Sequence, residues 1–375
     1  MHDTRIAIVG GGASGLYAAW LLAQQGLTDW ILIEGRETLG GRILSVPALA
    51  DGASEAANRA RPRDRFDLGP SWFWPGYQPR LDALVRELGL QRFEQHELGE
   101  MVLERSAAEA PFRVPGYVSS PASMRLLGGM GSLIEALHHR LDASRIVTGQ
   151  AVRRLRHAGA HLELESENPA GQSTTWRAEH VLLAMPPRLV IGSIDFTPSL
   201  PPMLSQQWEG TATWMAPHAK YFAIYDAPFW RERGLSGEAR SARGPLGEIH
   251  DASVPGGSAA LFGFLAVPAH VRRGVPEEVL RSHCRTQLAR LFGPEAATPK
   301  AEFLKDWALD PCTATTADWE SPGHHPDAPS AGVPSGPWSG RLTGIGSEWS
   351  RQFPGYVAGA IEAAGLGVQS LSVMT

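Results

Sequence analysis

The sequence predicts an α/β protein. A parallel-sheet unit, discontinuous along the chain, is joined to an α+β unit built on a mixed sheet. Three observations carry this expectation. The amino-terminal stretch alternates strand, glycine-rich turn, helix and strand. The carboxyl-terminal stretch holds a further strand and helix of the same apolar character. Between them, residues 190–335 change texture, with many aromatics and frequent Pro and Gly breaks. A length of 375 residues accommodates two units.

Composition narrows the function classes. The 43% hydrophobic fraction is that of a globular chain, and 41 Gly and 29 Pro without a triplet period mark tight turns, not collagen. A net charge of −5 gives no footprint for nucleic acid. No apolar run reaches the roughly 18 residues of a membrane helix. The chain enters Arg5–Val9 without a basic leader and a separate apolar segment, so a soluble cytoplasmic protein with no membrane partner is expected. Two cysteines, Cys284 and Cys312, make neither a disulfide framework nor a Cys-based zinc site. Cys284 shares the apolar face of a helix expected over 276–292 with Leu280, Leu288 and Leu291, and reads as core. The histidine pairs His138-His139 and His324-His325 are adjacent and cannot share a helix face, so no metal is assigned. No Gly-x-Ser-x-Gly turn of a serine hydrolase is present.

The elements follow in order. Ile6–Val9 is an apolar run of strand length, broken at Gly10-Gly11-Gly12-Ala13-Ser14-Gly15. Leu16, Ala19, Trp20, Leu22 and Ala23 then form a helical stripe that ends at Gly26. Trp30–Ile33 is a second strand, closed by Glu34. This is the dinucleotide fingerprint in its full context. Gly10 lets the chain turn off the strand, Gly12 lets backbone approach a pyrophosphate, and Gly15 lets the helix pack close to the sheet. The helix N-terminus, with Ser14 in its first turn, faces the phosphates. Glu34 accepts from the ribose hydroxyls. Helices are expected over 80–88 and after the turn at 128–133, where Ser132 and Glu135 have capping-box spacing. A hairpin pairs 151–155 with 161–165, a buried strand covers 180–184, a loop covers 48–65, and a Pro/Gly/Ser-rich loop covers 321–340. Gly340–Gly346 reads as the return strand and Tyr356–Leu371 as the closing helix.

Past Glu34 come Gly35-Arg36 and Leu39-Gly40-Gly41-Arg42. With this continuation the chain resembles the FAD-binding amine oxidase superfamily, and within it the flavin-containing monoamine oxidases. A nicotinamide dehydrogenase has no need of the second Gly-Gly-Arg, so FAD is favoured over NAD. The resemblance implies a Rossmann-like FAD-binding domain over 1–75, 128–189 and 336–375. It implies an amine oxidase-like substrate domain over 76–127 and 190–335. Arg36, Gly41 and Arg42 would serve the adenosine and pyrophosphate side, and backbone near Val152 the adenine. The stretch Gly69-Pro70-Ser71-Trp72 would pass beside the flavin ring, with Trp307 as the family's marker tryptophan. Glu348 would meet the ribityl and pyrophosphate side. The helix beginning near Gly355 and Val357 would point its N-terminus at the flavin N1/C2 edge, where reduction places negative charge.

The same resemblance assigns the reacting centre. Lys220, one of only three lysines, matches a lysine that reaches flavin N5 through a water; burial would lower its pKa. Tyr356 matches one wall of an aromatic cage around the amine. The second wall is open: Ala317 stands where an aromatic often does, and Trp319, Trp74 or Trp214 could substitute. The position of a covalent flavin link in some relatives is Thr316, with Cys312 four positions early, so non-covalent FAD is expected. Trp72 stands where L-amino-acid oxidases tend to place an Arg, which favours a small-molecule amine without a carboxylate. The implied reaction is oxidation of an amine to an imine by hydride transfer to flavin N5, with O2 as electron acceptor and H2O2 as product. Two alternatives remain at this point: a desaturase or oxidase of a hydrophobic non-amine substrate, and a flavoprotein with structural FAD that acts through a partner. The oligomeric state is not fixed by the sequence.

Overall fold

The computed structural model describes residues 2–48, 64–320, 323, 325 and 327–372. Residues 49–63 of the loop expected over 48–65, and His324, lie outside the described residues. The chain forms two large sheets. The first has eight strands among the described residues, in the order Asp195–Thr197, Ala151–His157, Leu162–Glu167, Ser173–Leu183, His2–Val9, Trp30–Ile33 and Ile146–Val147, with Leu342–Gly344 also paired to Ser173–Leu183. Its centre is parallel. Val9 lies beside Ile33 and Leu183, and Leu183 beside Gly344. The carboxyl ends of the first and last strands therefore come level at one edge, where open α/β sheets place their ligands.

The helices Ala13–Gln24 and Val357–Ser372 pack together on one face of this sheet, through Leu16, Ala19, Ile361, Ala364 and Val368. Small residues allow the close approach. A Cβ at Gly15 would stand 1.9 Å from the Gly10 carbonyl oxygen, so only glycine fits there. The strand at 173–183 is longer than the expected 180–184, because pairing on both edges, with His2–Val9 and Leu162–Glu167, orders its polar first half.

The second sheet is mixed and has seven strands among the described residues: Ala301–Asp306, Ala219–Tyr225, Ala259–Leu265, Leu246–Asp251, Leu235–Ser241, Glu100–Glu104 and Phe112–Pro115. Leu235–Ser241 runs parallel to Glu100–Glu104, and the remaining neighbours are antiparallel. The helix Glu277–Phe292 covers one face, burying Cys284 and Leu288 against Tyr221 and Ala223 as the apolar spacing requires. The alternate residues of the same strand, Lys220, Phe222 and Ile224, turn to the other face, where Phe66, Phe222 and Phe262 pack.

One local expectation is corrected. The capping box at Ser132 and Glu135 does not form: the helix Gly131–His138 carries no side-chain cap, and Ser132 donates to the Gly129 carbonyl at 2.8 Å. Its start is held from outside instead. The Met130 N–H donates to Asp67 and the Gly131 N–H to Ser45, both at 2.8 Å, while Glu135 pairs with Arg65. Membership of the first sheet also extends past residue 189. Strand Asp195–Thr197 still pairs with Ala151–His157, and the helix Pro202–Gly210 packs beneath through Leu204 and Trp208. The helix Pro79–Glu87 joins the core of the first and last helices through Leu81, Leu84 and Val85.

Candidate active site

A single cavity of about 490 Å³ runs from the edge of the first sheet to the aromatic face of the second. At the sheet end it is lined by Gly10, Gly12, Ser14, Glu34, Arg36, Gly41, Arg42 and Val152. Gly10 takes φ +111°, where a side chain would be strained and its Cβ would meet the Ala184 carbonyl. Gly12 differs. Its backbone is extended, and a Cβ there would find only Gly40 O at 3.7 Å and Gly41 Cα at 3.9 Å. Nothing in the protein requires glycine at that point, so the room it leaves faces the cavity. The helix it precedes has no side-chain cap, so its first N–H groups and partial positive charge open on the same space. The buried Glu34 carboxylate is fixed by the Gly11 N–H at 2.5 Å and the Arg36 N–H at 2.8 Å. A cradle that a Cβ would fill, an uncapped helix start and an oriented acid together fit the diphosphate and ribose of a dinucleotide.

The next stretch joins the two ends of the chain. Arg42 makes a bidentate pair with Glu348, at 2.5 and 3.0 Å, and also donates to Ser347 at 3.0 Å. Glu348 is fully buried, and a quarter of the Arg42 side chain is exposed to the cavity. Burial works against the Arg42 charge, but the Glu348 carboxylate outweighs it and holds the guanidinium above its ordinary value. Arg36 is bound across the fold to Asp310 at 2.5 Å and Thr313 at 3.0 Å, which closes the sheet end of the cavity with residues 310–313. Cys312 sits in this wall near Arg36 and Glu34, and burial pushes its thiol up. Thr316 is not among the lining residues.

The far end is aromatic. Trp72, Trp74, Trp214, Phe264, Trp307 and Tyr356 line it, with Lys220 among them. Lys220 is buried and donates to the Gly69 carbonyl at 2.5 Å, to Ser71 Oγ at 3.1 Å and to the Asp67 carbonyl at 3.3 Å, which ties segment 67–71 to the second sheet. Phe262 and Phe264 flank it at 4.7 and 5.1 Å. Burial lowers its pKa to about 7, with Arg125 adding to the shift and Asp67 opposing it. Trp307 Nε1 donates to the Leu68 carbonyl at 2.9 Å, and Trp72 Nε1 to Gln95 at 2.9 Å. The N-terminus of the last helix reaches the cavity through Gly355, Tyr356 and Val357. Gly355 takes φ +82°, and the Trp214 side chain lies where its Cβ would be, so glycine is required on both counts.

All the residues expected from sequence to serve a cofactor or substrate therefore meet along one cavity, except Gly15, which packs helix on sheet, and Glu348, which stands behind Arg42. Of the three candidates for a second aromatic wall, Trp74 and Trp214 line the cavity. Trp74 meets Tyr356 edge-on at 6.4 Å. Trp319 lies elsewhere, under Arg273 at 4.3 Å. Sequence reasoning missed Asp67, Gln95, Asp310 and His325. Each acts through partners distant in the chain, and no local spacing marks them.

Comparison with known proteins places this architecture. The family model described as flavin containing amine oxidoreductase matches residues 116–370, and an NAD(P)-binding Rossmann-like domain model matches residues 8–88. A probable flavin-containing monoamine oxidase A of Dictyostelium discoideum is 28% identical over 249 residues, covering 64% of this chain and 51% of that protein. A putative flavin-containing monoamine oxidase of Mycobacterium tuberculosis is 30% identical over 254 residues, covering 64% and 50%. The chain spans about half the length of these two relatives. A putrescine oxidase of Kocuria rosea is 24% identical over 440 residues, covering 88% of each. Among solved structures, a redesigned putrescine oxidase superposes with a TM-score of 0.79 at 20% identity, covering 100% of this chain and 99% of that one. A cyclohexylamine oxidase from Brevibacterium oxydans gives 0.78 at 18% identity, covering 99% of each. These structural likenesses establish the fold: an α/β protein with a Rossmann-like unit and a second mixed sheet.

Proposed function

The chain belongs to the flavin-containing amine oxidoreductases, and on that premise we propose that it oxidises an apolar monoamine, with FAD held non-covalently and O2 as electron acceptor. The observation that carries this reading is the continuity of one cavity from the open cradle at Gly12 to the aromatic end at Trp74 and Tyr356. Bound FAD would supply hydride acceptance at N5 and return of electrons to O2.

The chain's own residues do the rest. Gly12, Ser14 and the start of the first helix receive the diphosphate, Glu34 the ribose, and backbone near Val152 the adenine. Arg42, held by Glu348, adds a fixed cation to the diphosphate side. Gly355 and Val357 bring the last helix's positive end to the ring, where it favours negative charge. Gly69, Pro70, Ser71, Trp72 and Trp307 form the wall beside the ring. Tyr356 and Trp74 exclude water around the amine and keep it neutral, so that its lone pair is free. Lys220, poised near neutrality by burial, keeps two of its bonds to segment 67–71 when neutral and turns its lone pair to accept from a water at the reacting edge.

The lining also narrows the substrate. Among the described lining residues Glu34 is the one acid, and its oxygens already accept the Gly11 and Arg36 N–H groups at the opposite end. The aromatic end thus offers no anion to a second ammonium. Arg36 and Arg42 are paired to Asp310 and Glu348, Arg153 lines the sheet end near Cys312 and Glu34, and Trp72 is bonded to Gln95, so among the described residues no guanidinium at the aromatic end awaits a carboxylate. An apolar monoamine fits better than a diamine or an α-amino acid. Anaerobic mixing of the FAD-loaded protein with cyclohexylamine, putrescine and leucine tests this. Loss of flavin colour with the first alone is expected; bleaching only by either of the others overturns the substrate class, and bleaching by none overturns the activity.

A further inference from the structure

We propose that His325 is the positioning residue of Tyr356, fixing the ring and the direction of its hydroxyl proton. The proposal rests on the monoamine oxidase reading and deepens it. The imidazole stacks on Trp214, with ring centroids 3.4 Å apart and planes 27° apart, and on Tyr356 at 4.9 Å and 22°. The three rings lie near-parallel, and His325 contacts both of the others. His325 is half-buried and is not among the cavity-lining residues, whereas Trp214 and Tyr356 both are. It therefore supports two walls of the chamber without lining the chamber itself.

Its hydrogen bonds give the arrangement a direction. Nδ1 lies 3.0 Å from the Pro354 carbonyl oxygen and Nε2 lies 3.1 Å from the Tyr356 hydroxyl. A carbonyl only accepts, so Nδ1 carries the hydrogen. In a neutral imidazole Nε2 is then an acceptor, and the Tyr356 hydroxyl donates to it. Burial holds His325 on the neutral side of its ordinary range, consistent with that tautomer. The phenol proton is thus committed away from the chamber, and the remaining oxygen lone pair is left to accept from an amine N–H. Trp74, edge-on to Tyr356, closes the other side of the ring. The stack also reaches the cofactor end: the Trp214 side chain rests on Gly355, and its carbonyl lies 3.5 Å from Arg42.

The test combines a spectroscopic readout with a cycle of variants in the FAD-loaded protein. Long-range proton–nitrogen NMR of the histidine rings, with His325 assigned by its loss in His325→Gln, should show the Nδ1–H tautomer, and Tyr356→Phe, which leaves the Pro354 carbonyl in place, should keep that tautomer and shift the Nε2 resonance as it loses its donor. For cyclohexylamine, His325→Phe keeps the stack and loses both hydrogen bonds. It should lower kcat/KM about tenfold while leaving FAD affinity unchanged, and adding Tyr356→Phe should cost little more. An Nε2–H tautomer, or fully additive losses from the two substitutions, would overturn the proposal. The tautomer is read without any substrate. If no amine bleaches the flavin while His325 is the Nδ1–H form tied to Tyr356, the amine reading fails and the positioning of Tyr356 stands.

Discussion

Substitution of Gly12 by alanine separates the fold from its cofactor. At most glycines along the dinucleotide turn a Cβ strikes the protein itself: at Gly15 it would lie 1.9 Å from the Gly10 carbonyl oxygen, and at Gly10 2.6 Å from that of Ala184. At Gly12 the nearest atoms are at 3.7 and 3.9 Å, and the backbone, at φ −78° and ψ −171°, suits any residue. The apoprotein should therefore tolerate Gly12→Ala, and loss of unfolded-chain freedom should stabilise it by about 0.5 kcal/mol. The new methyl enters the space assigned to the diphosphate. Overpacking of that size costs about 2 kcal/mol, equivalent to a roughly thirtyfold weaker FAD dissociation constant. Calorimetric titration of apoprotein with FAD, beside thermal melts without it, reads both quantities. Unchanged FAD affinity would refute the placement of the dinucleotide, and a large fall in apoprotein Tm would refute the packing argument. Gly15→Ala is the control, expected to fail to fold.

Other outcomes follow from the same geometry. Lys220 has its pKa lowered to about 7 from 10.5, so between those values the unfolded chain binds the proton that the native state refuses. Stability should rise as pH is raised through that window, by up to about 1.4 kcal/mol per pH unit; urea unfolding at successive pH values should show this slope in the wild type and its loss in Lys220→Met. The same variant, still binding FAD, should reoxidise more slowly, and an unchanged reaction with oxygen would remove the role given to the lysine. Glu348→Leu strands the Arg42 guanidinium and should destabilise by about 3–5 kcal/mol, whereas Arg42→Met combined with Glu348→Leu should recover much of the loss; equal melts for the single and double variants would contradict this. Acid precipitation of the loaded protein should leave the yellow colour in the supernatant, since Cys312 sits in the wall with Arg36 and Glu34; a coloured pellet would show a covalent link.

How much of this was legible in the sequence depended on how local the cause was. Trp30–Ile33 coincides with its apolar run, and the helices Ala13–Gln24, Pro79–Glu87, Glu277–Phe292 and Val357–Ser372 lie within a few residues of their stripes, because short-range patterning fixes such elements. The dinucleotide turn was readable because each glycine answers a different steric demand. What failed was decided at long range. Ser132 and Glu135 had the spacing of a capping box, yet Ser45 and Asp67 hold the helix start, and nothing local marks them. The first half of Ser173–Leu183 is polar and owes its order to two neighbouring strands. Helices Pro79–Glu87 and Pro202–Gly210 side with the first sheet because their apolar faces complete its cores, which texture along the chain does not reveal. At the site, the residues carried by motifs converged, while His325 lies in a stretch without periodicity and acquires its role only through Trp214 and Tyr356.

On this reading, the first and last strands and helices enclose one flavin and present its reactive edge to an aromatic chamber. The most direct test is the rate at which cyclohexylamine removes the flavin's visible absorbance from FAD-loaded protein without oxygen, with and without deuterium on the carbon bearing nitrogen. Prompt bleaching, slowed several-fold by deuterium, is the predicted result. A protein that takes up no FAD, or whose colour persists in excess amine, would contradict it.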